Sequence, residues 1–221
     1  MKTNVWDRTG AHEMSKGLFA FLTSIWVLAG IGTSLAFSSV SSTWDLGLWA
    51  ILGILASAVA GSVLALTSPN PGISVLGFAM VAIPFGILLG PFLNVFVAVD
   101  IIKIFFVTTG LVAILGAVGA MIPDSLEGLG SWVLGALVVL LLGQLAIPVA
   151  GFFGVPIETP LAIWDWVGVA VFCAIVVYDW NRAMKLPRTV DNSIDAGLSI
   201  YLDWVNIFIR LLSRQGRGTR K

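Results

Sequence analysis

Charge is scarce in this chain. Only 11% of its 221 residues are Asp, Glu, Lys or Arg, whereas a soluble domain carries about 25%. With 58% hydrophobic residues and a mean hydropathy of +0.99, the composition excludes an ordinary soluble domain and gives a polytopic membrane protein. The formal net charge is zero and no long basic or acidic run is present, so nucleic acid is not an expected partner. Histidine occurs once, as His12 in a polar leader, and has no second histidine with which to make a metal motif. Cysteine also occurs once, as Cys173 inside an apolar run. That excludes an intrachain disulfide and a metal–thiolate cluster, and Cys173 reads as packing. Strand alternation is absent, so the spans read as α-helices that satisfy their own backbones rather than as a barrel. No internal repeat is strong enough to indicate an inverted-repeat transporter.

A spanning helix needs about 20 mostly apolar residues. Six stretches qualify, Gly17–Phe37, Leu46–Thr67, Gly72–Leu93, Ile101–Met121, Gly130–Phe152 and Leu161–Trp180, and a seventh, Gly197–Ser213, is shorter and more polar. The first is too long for the apolar core of a signal peptide, roughly 7–15 residues, and reads as a retained span. The chain thus divides into a polar leader (1–16), a single transmembrane bundle (17–213) and a basic tail (214–221). Ser68-Pro69-Asn70-Pro71-Gly72 is a tight turn, Pro123 ends the fourth span, and Pro156 and Pro160 bracket the loop before the sixth. Pro84, Pro91 and Pro148 lie inside spans and predict bends. Gly86 with Gly90, and Ser57 with Gly61, have the small-residue spacing that lets helix backbones approach. Trp44, Trp49, Trp132, Trp164, Trp166 and Trp180 sit near span ends, where amphipathic rings favour the interface or, alternatively, pack inward. The longest polar loop, 181–196, leaves no room for a soluble enzyme domain.

Orientation is balanced under seven full spans. Lys2, Arg8, Lys16, Arg182, Lys185 and Arg188 would face one side, and Lys103, Arg210, Arg214, Arg217, Arg220 and Lys221 the other. If the last stretch re-entered, all but Lys103 would share a side. The last helix is therefore either re-entrant or sheltered within the bundle, with a lean toward a cytoplasmic N-terminus.

Two carboxylates stand out against this background. Asp179 lies near the end of the sixth span and Asp203 in the middle of the last stretch. An isolated carboxylate at bilayer depth costs about 2.5–3.5 kcal/mol on the insertion scale, so each should have a partner. Ser199, Asp203, Asn206, Arg210 and Ser213 follow steps of 4, 3, 4 and 3, one stripe of a 3.6-residue helix. A polar stripe on an otherwise apolar helix should face other helices or water. The alternative for Asp203 is a surface-lying helix, and for Asp179 an interfacial carboxylate paired with Arg182. A connection over 181–196 would let the last two helices run antiparallel and bring Asp179 to Asp203.

Tyr178-Asp179-Trp180, the basic loop, and Tyr201-Leu202-Asp203-Trp204-Val205-Asn206-Ile207-Phe208 resemble the C-terminal signature of the Bax inhibitor-1-like family, also called the transmembrane BAX inhibitor motif family. Asp124-Ser125-Leu126-Glu127-Gly128-Leu129 looks like that family's loop before its fifth helix. The resemblance is strongest from about residue 100 to 213. It implies an all-α seven-transmembrane-helix bundle with a central last helix and a pH-sensitive calcium leak in which Asp179 and Asp203 form the sensing pair. One departure is visible: relatives place an arginine on the second helix near this pair, but Leu46–Thr67 carries no charge. Arg210 and Arg182 are the nearest substitutes in sequence.

The expected chemistry follows from the pair. Two carboxylates in a low-dielectric site cannot both ionise cheaply and are expected to share a proton. At low pH the shared proton ties the two helices, and at higher pH repulsion separates them unless a cation intervenes. Calcium takes about 6–8 oxygen ligands, so Asp179 and Asp203 would form only a weak calcium site, completed by Asn206, Ser199, carbonyls and water. No tightly bound cofactor is expected. The expected partners are the bilayer, calcium and protons. Two rival readings are a membrane adaptor that regulates survival pathways or a membrane protease, and a proton-coupled solute transporter. An intramembrane aspartyl protease is not expected, because Tyr178-Asp179-Trp180-Asn181 lacks glycine-rich active-site sequence.

Overall fold

In a computed structural model of the protein, residues 13–219 are described, with side chains through Gln215. His12, Lys2, Arg8 and the rest of the leader to residue 12 lie outside the described residues, as do the tail side chains from Gly216 to Lys221. Seven helices follow in order: α1 (Lys16–Ser41), α2 (Leu48–Thr67), α3 (Pro71–Asn94), α4 (Ala98–Met121), α5 (Gly130–Phe152), α6 (Glu158–Lys185) and α7 (Val190–Thr219), with one 3-10 turn, Glu127–Leu129, before α5. No strand occurs among the described residues. All seven helices are long and apolar enough to cross a membrane, and the chain is an integral, multi-pass membrane protein of the all-α class.

Local chemistry sets the helix ends. Ser15 caps α1 by accepting from the Leu18 N–H at 3.3 Å. Asn70 accepts from Gly72 N–H at 2.9 Å, and Pro71 occupies the first position of α3, where a missing N–H costs nothing. After α5, Gly154 takes φ +83, a left-handed conformation that glycine adopts without a Cβ penalty. That lets Val155 N–H return to the Ala150 carbonyl at 3.2 Å and close the helix end. Helices α3 and α5 continue through Pro84, Pro91 and Pro148.

The last two helices depart most from the boundaries read in the sequence. Helix α7 begins at Val190 rather than Gly197, so only residues 186–189 connect it to α6. Asp191, Asn192, Ser193 and Asp195 look like loop by composition, yet all four are buried in helix. Ser74 Oγ on α3 donates to Asp191 Oδ1 at 2.7 Å, Asn192 Nδ2 donates to the Pro187 carbonyl at 2.7 Å, and Ser193 Oγ donates to the Val190 carbonyl at 2.6 Å. Helix α6 begins at Glu158, which puts Pro160 in its first turn, where proline is tolerated, and not in the loop. Of the six tryptophans, Trp164 and Trp180 turn inward. Trp164 Nε1 donates to the Leu140 carbonyl at 3.3 Å, and the Trp180 indole lies over Gly116.

The chain groups into two compact units, one of residues up to Val97 with Ala183–Leu202, the other of Ala98–Arg182 with Asp203 onward. In the first, glycines set the helix spacing. A Cβ on Gly77 would fall 2.5 Å from the Gly61 carbonyl oxygen and 2.7 Å from the Ala65 nitrogen, so α2 and α3 touch backbone to backbone. Ser57 Oγ donates to the Met80 carbonyl at 2.9 Å across the same contact. Gly86 does likewise against Ser34 of α1. Tyr201 is fully buried in this unit, its ring 5.7 Å from that of Phe78. Ser34 Oγ gives its one proton to the Ala82 carbonyl at 2.9 Å, so the Tyr201 hydroxyl donates to Ser34 Oγ, 2.6 Å away.

In the second unit α4 meets α6 at Gly116 and Gly119, where a Cβ would overlap Trp180 and Val177. Trp204 of α7 stacks on Phe208 with ring centres 4.9 Å apart and donates through Nε1 to Thr109 Oγ1 at 3.1 Å. Burial separates the helices sharply: 67% of the α7 span is buried, against 6% of the α5 span. The apolar surface left bare on α5 is the kind a bilayer covers.

Candidate functional site

Asp203 stands at the start of the α7 segment that belongs to the second unit. It is 4% exposed, and its Oδ2 has no hydrogen-bond partner among the described residues. The charge that acts on it is another acid, Asp179 of α6. Trp204, the next residue, ties this turn of α7 to α4 through Thr109. Rotation of this turn of α7 would break that bond.

Asp179 is half-buried, and the exposed Arg182, about one turn further along α6, acts on it electrostatically. Its place is set by Asn181. That side chain is fully buried and closes the chain between α4 and α5: Nδ2 donates to the carbonyls of Gly119 (3.3 Å), Ile122 (3.1 Å) and Asp124 (3.0 Å), and Oδ1 accepts from Leu126 N–H at 2.8 Å. The end of α6 is thereby anchored two residues beyond Asp179.

The α7 stripe divides by environment. Asp203 and Arg210 are buried, whereas Ser199, Asn206 and Ser213 are half-buried. Ser199 belongs to the first unit, and Asn206 and Arg210 to the second. Arg210, a sequence candidate for the missing arginine beside the carboxylates, is instead paired with Asp165 of α6, Nη1 to Oδ1 at 3.9 Å. Its side chain reaches along α6 because Gly168 leaves room for the guanidinium. Arg182, the other sequence candidate, acts electrostatically on Asp179.

Asp165 and Asn181 escaped the sequence reading. Asp165 lies within Trp164-Asp165-Trp166, and an acid inside a span is itself a signal of function. By composition Asn181 belongs to the loop, because it follows the apolar run. Among the described residues no group of three or more His, Cys, Asp or Glu side chains gathers as a metal site. The two carboxylates could offer a passing cation a minority of its oxygen ligands and would suit transit better than storage.

The sequence profile of the family described as "Inhibitor of apoptosis-promoting Bax1" matches residues 11–218. The chain is also 25% identical over 152 residues to the inner membrane protein YbhL of Escherichia coli strain K12, an alignment covering 65% of this chain and 63% of that protein. The YbhL of Escherichia coli O6:H1 matches to the same extent. The matched part thus spans less than two thirds of the length of these curated relatives. With a family profile that runs from α1 through nearly all of α7, the chain belongs to the Bax inhibitor-1-like family.

Proposed function

We propose that this protein is a pH-sensitive cation leak pathway, with calcium as the permeant ion, in which Asp179 and Asp203 form the gating pair. The observation that carries this reading is the burial of Asp203 with one carboxylate oxygen unbonded and an acid as its electrostatic neighbour. A buried unsatisfied polar atom costs about 1–3 kcal/mol, and here it belongs to the acid that has a second acid as its electrostatic neighbour.

The sign of the response follows from charge. With one proton between them the two carboxyls attract through a hydrogen bond and hold α6 to α7. Loss of that proton leaves two negative charges in a poorly solvated place, and the helices separate or admit a cation. Leak therefore rises with pH. Asn206, half-buried one turn beyond Asp203, offers the next oxygen ligand along the helix. The reading asks for no covalent step and no resident cofactor, with calcium as cargo.

The test is calcium uptake into liposomes containing the purified protein, across a pH series. Asp203→Asn should flatten the pH dependence, because one neutral partner removes the shared-proton step. Unchanged flux and unchanged pH dependence in that variant would sink the proposal. A pH gradient that drives uptake of a small solute, with no effect of competing divalent cations, would favour the proton-coupled transporter instead.

A further inference from the structure

Seven residues beyond Asp203, on the same stripe of α7, a cation is buried. Arg210 is 8% exposed and Asp165, its partner on α6, 7%. Arg210 Nη1 lies 3.9 Å from Asp165 Oδ1 and 3.5 Å from the Trp164 carbonyl oxygen, and the guanidinium carbon sits 5.7 Å from the centre of the Phe172 ring. Arg210 Nε is buried with no hydrogen-bond partner among the described residues. A guanidinium has five donors in a rigid fork and binds a carboxylate best through two short parallel bonds. The contact to Asp165 is long. Stability alone is a poor reason to bury such a pair, since apolar side chains of similar volume often serve as well or better.

The site is nonetheless built. A Cβ at Gly168 would overlap the guanidinium carbon, Nε and Nη1 of Arg210. A glycine in mid-helix weakens the helix, and here its effect is to make space for the cation. Asp203 and Arg210 are two helical turns apart, about 10 Å along the axis, with half-buried Asn206 between them on the same face. On the cation-leak reading, an ion that leaves the carboxylate pair along this stripe meets the guanidinium next.

We propose that Arg210 is a charge barrier that sets which cations pass along the α7 stripe, with Asp165 and Gly168 as its positioning residues. The inference rests on the cation-leak reading. Repulsion by a fixed positive charge scales with the charge of the permeating ion, so Arg210 slows calcium more than potassium. Asp165 offsets part of that charge and holds the guanidinium to one side.

The experiment measures calcium and potassium flux in parallel, in liposomes containing the full-length protein. Arg210→Gln should raise calcium flux by on the order of tenfold and potassium flux by less. Asp165→Asn should lower the calcium-to-potassium ratio, and Arg210→Lys should move the ratio back toward wild type. Gly168→Ala keeps every charge and displaces the guanidinium, so it should change the ratio even if Arg210→Gln fails to fold. An unchanged ratio in Gly168→Ala together with an unchanged ratio, or a misfolded protein, for Arg210→Gln overturns the barrier; if flux still depends on Asp203, the leak reading survives. Absence of any Asp203-dependent flux in the wild type overturns both.

Discussion

The two halves of α7 treat their polar groups differently. In the first half, up to Leu202, several polar side chains are hydrogen-bonded: Tyr201 to Ser34 of α1, Asp191 to Ser74 of α3, and Asn192 to the Pro187 carbonyl just before α7. In the second half, Asp203 has an acid, Asp179, as its electrostatic neighbour, and Arg210 reaches Asp165 only at 3.9 Å. One helix thus combines polar groups held by hydrogen bonds with an acid pair and a loosely paired cation. Hydrogen-bonded networks rigidify a fold, while charge buried within a span is the commoner mark of a site that works. The first half should therefore govern stability and the second half flux.

The sharpest way to break this division is Tyr201→Ala. Removal of a fully buried ring from its contact with Phe78 should cost about 3–5 kcal/mol, read as a fall in thermal or denaturant midpoint in detergent, while the pH dependence of flux in the folded fraction is retained. Asn181→Ala comes next and sharpens the rule, because Asn181 belongs to the second unit yet is fully bonded. Loss of its links to Gly119, Ile122, Asp124 and Leu126 should cost roughly 2–4 kcal/mol, and protease nicking between residues 119 and 126 should accelerate. Tyr201→Phe is the mildest, about 1 kcal/mol for one hydroxyl hydrogen bond, with flux unaltered at every pH. A large change in pH profile from Tyr201→Phe would show that the anchor half also gates.

The seven spans were legible because each is a long apolar run, and hydropathy reports that directly. The start of α7 was not. Asp191, Asn192, Ser193 and Asp195 carry the composition of a loop, and only their tertiary partners, such as Ser74 on α3, make helix the cheaper state. The 3.6-residue stripe placed Asp203 and Arg210 on one face correctly. It could not give Arg210 its partner, because Asp165 lies on another helix and is reached through a gap at Gly168. Asn181 was hidden for a related reason: its four bonds all go to a segment some sixty residues earlier, where no local pattern points.

Infrared difference spectroscopy of the protonated carboxyl band, recorded on reconstituted protein alongside calcium flux, tests the central claim most directly. If Asp179 and Asp203 share the gating proton, the band should fade over the same pH interval in which flux appears, and Asp179→Asn should move both together. A carboxyl band that titrates apart from the flux, or that Asp179→Asn leaves in place, would contradict the account.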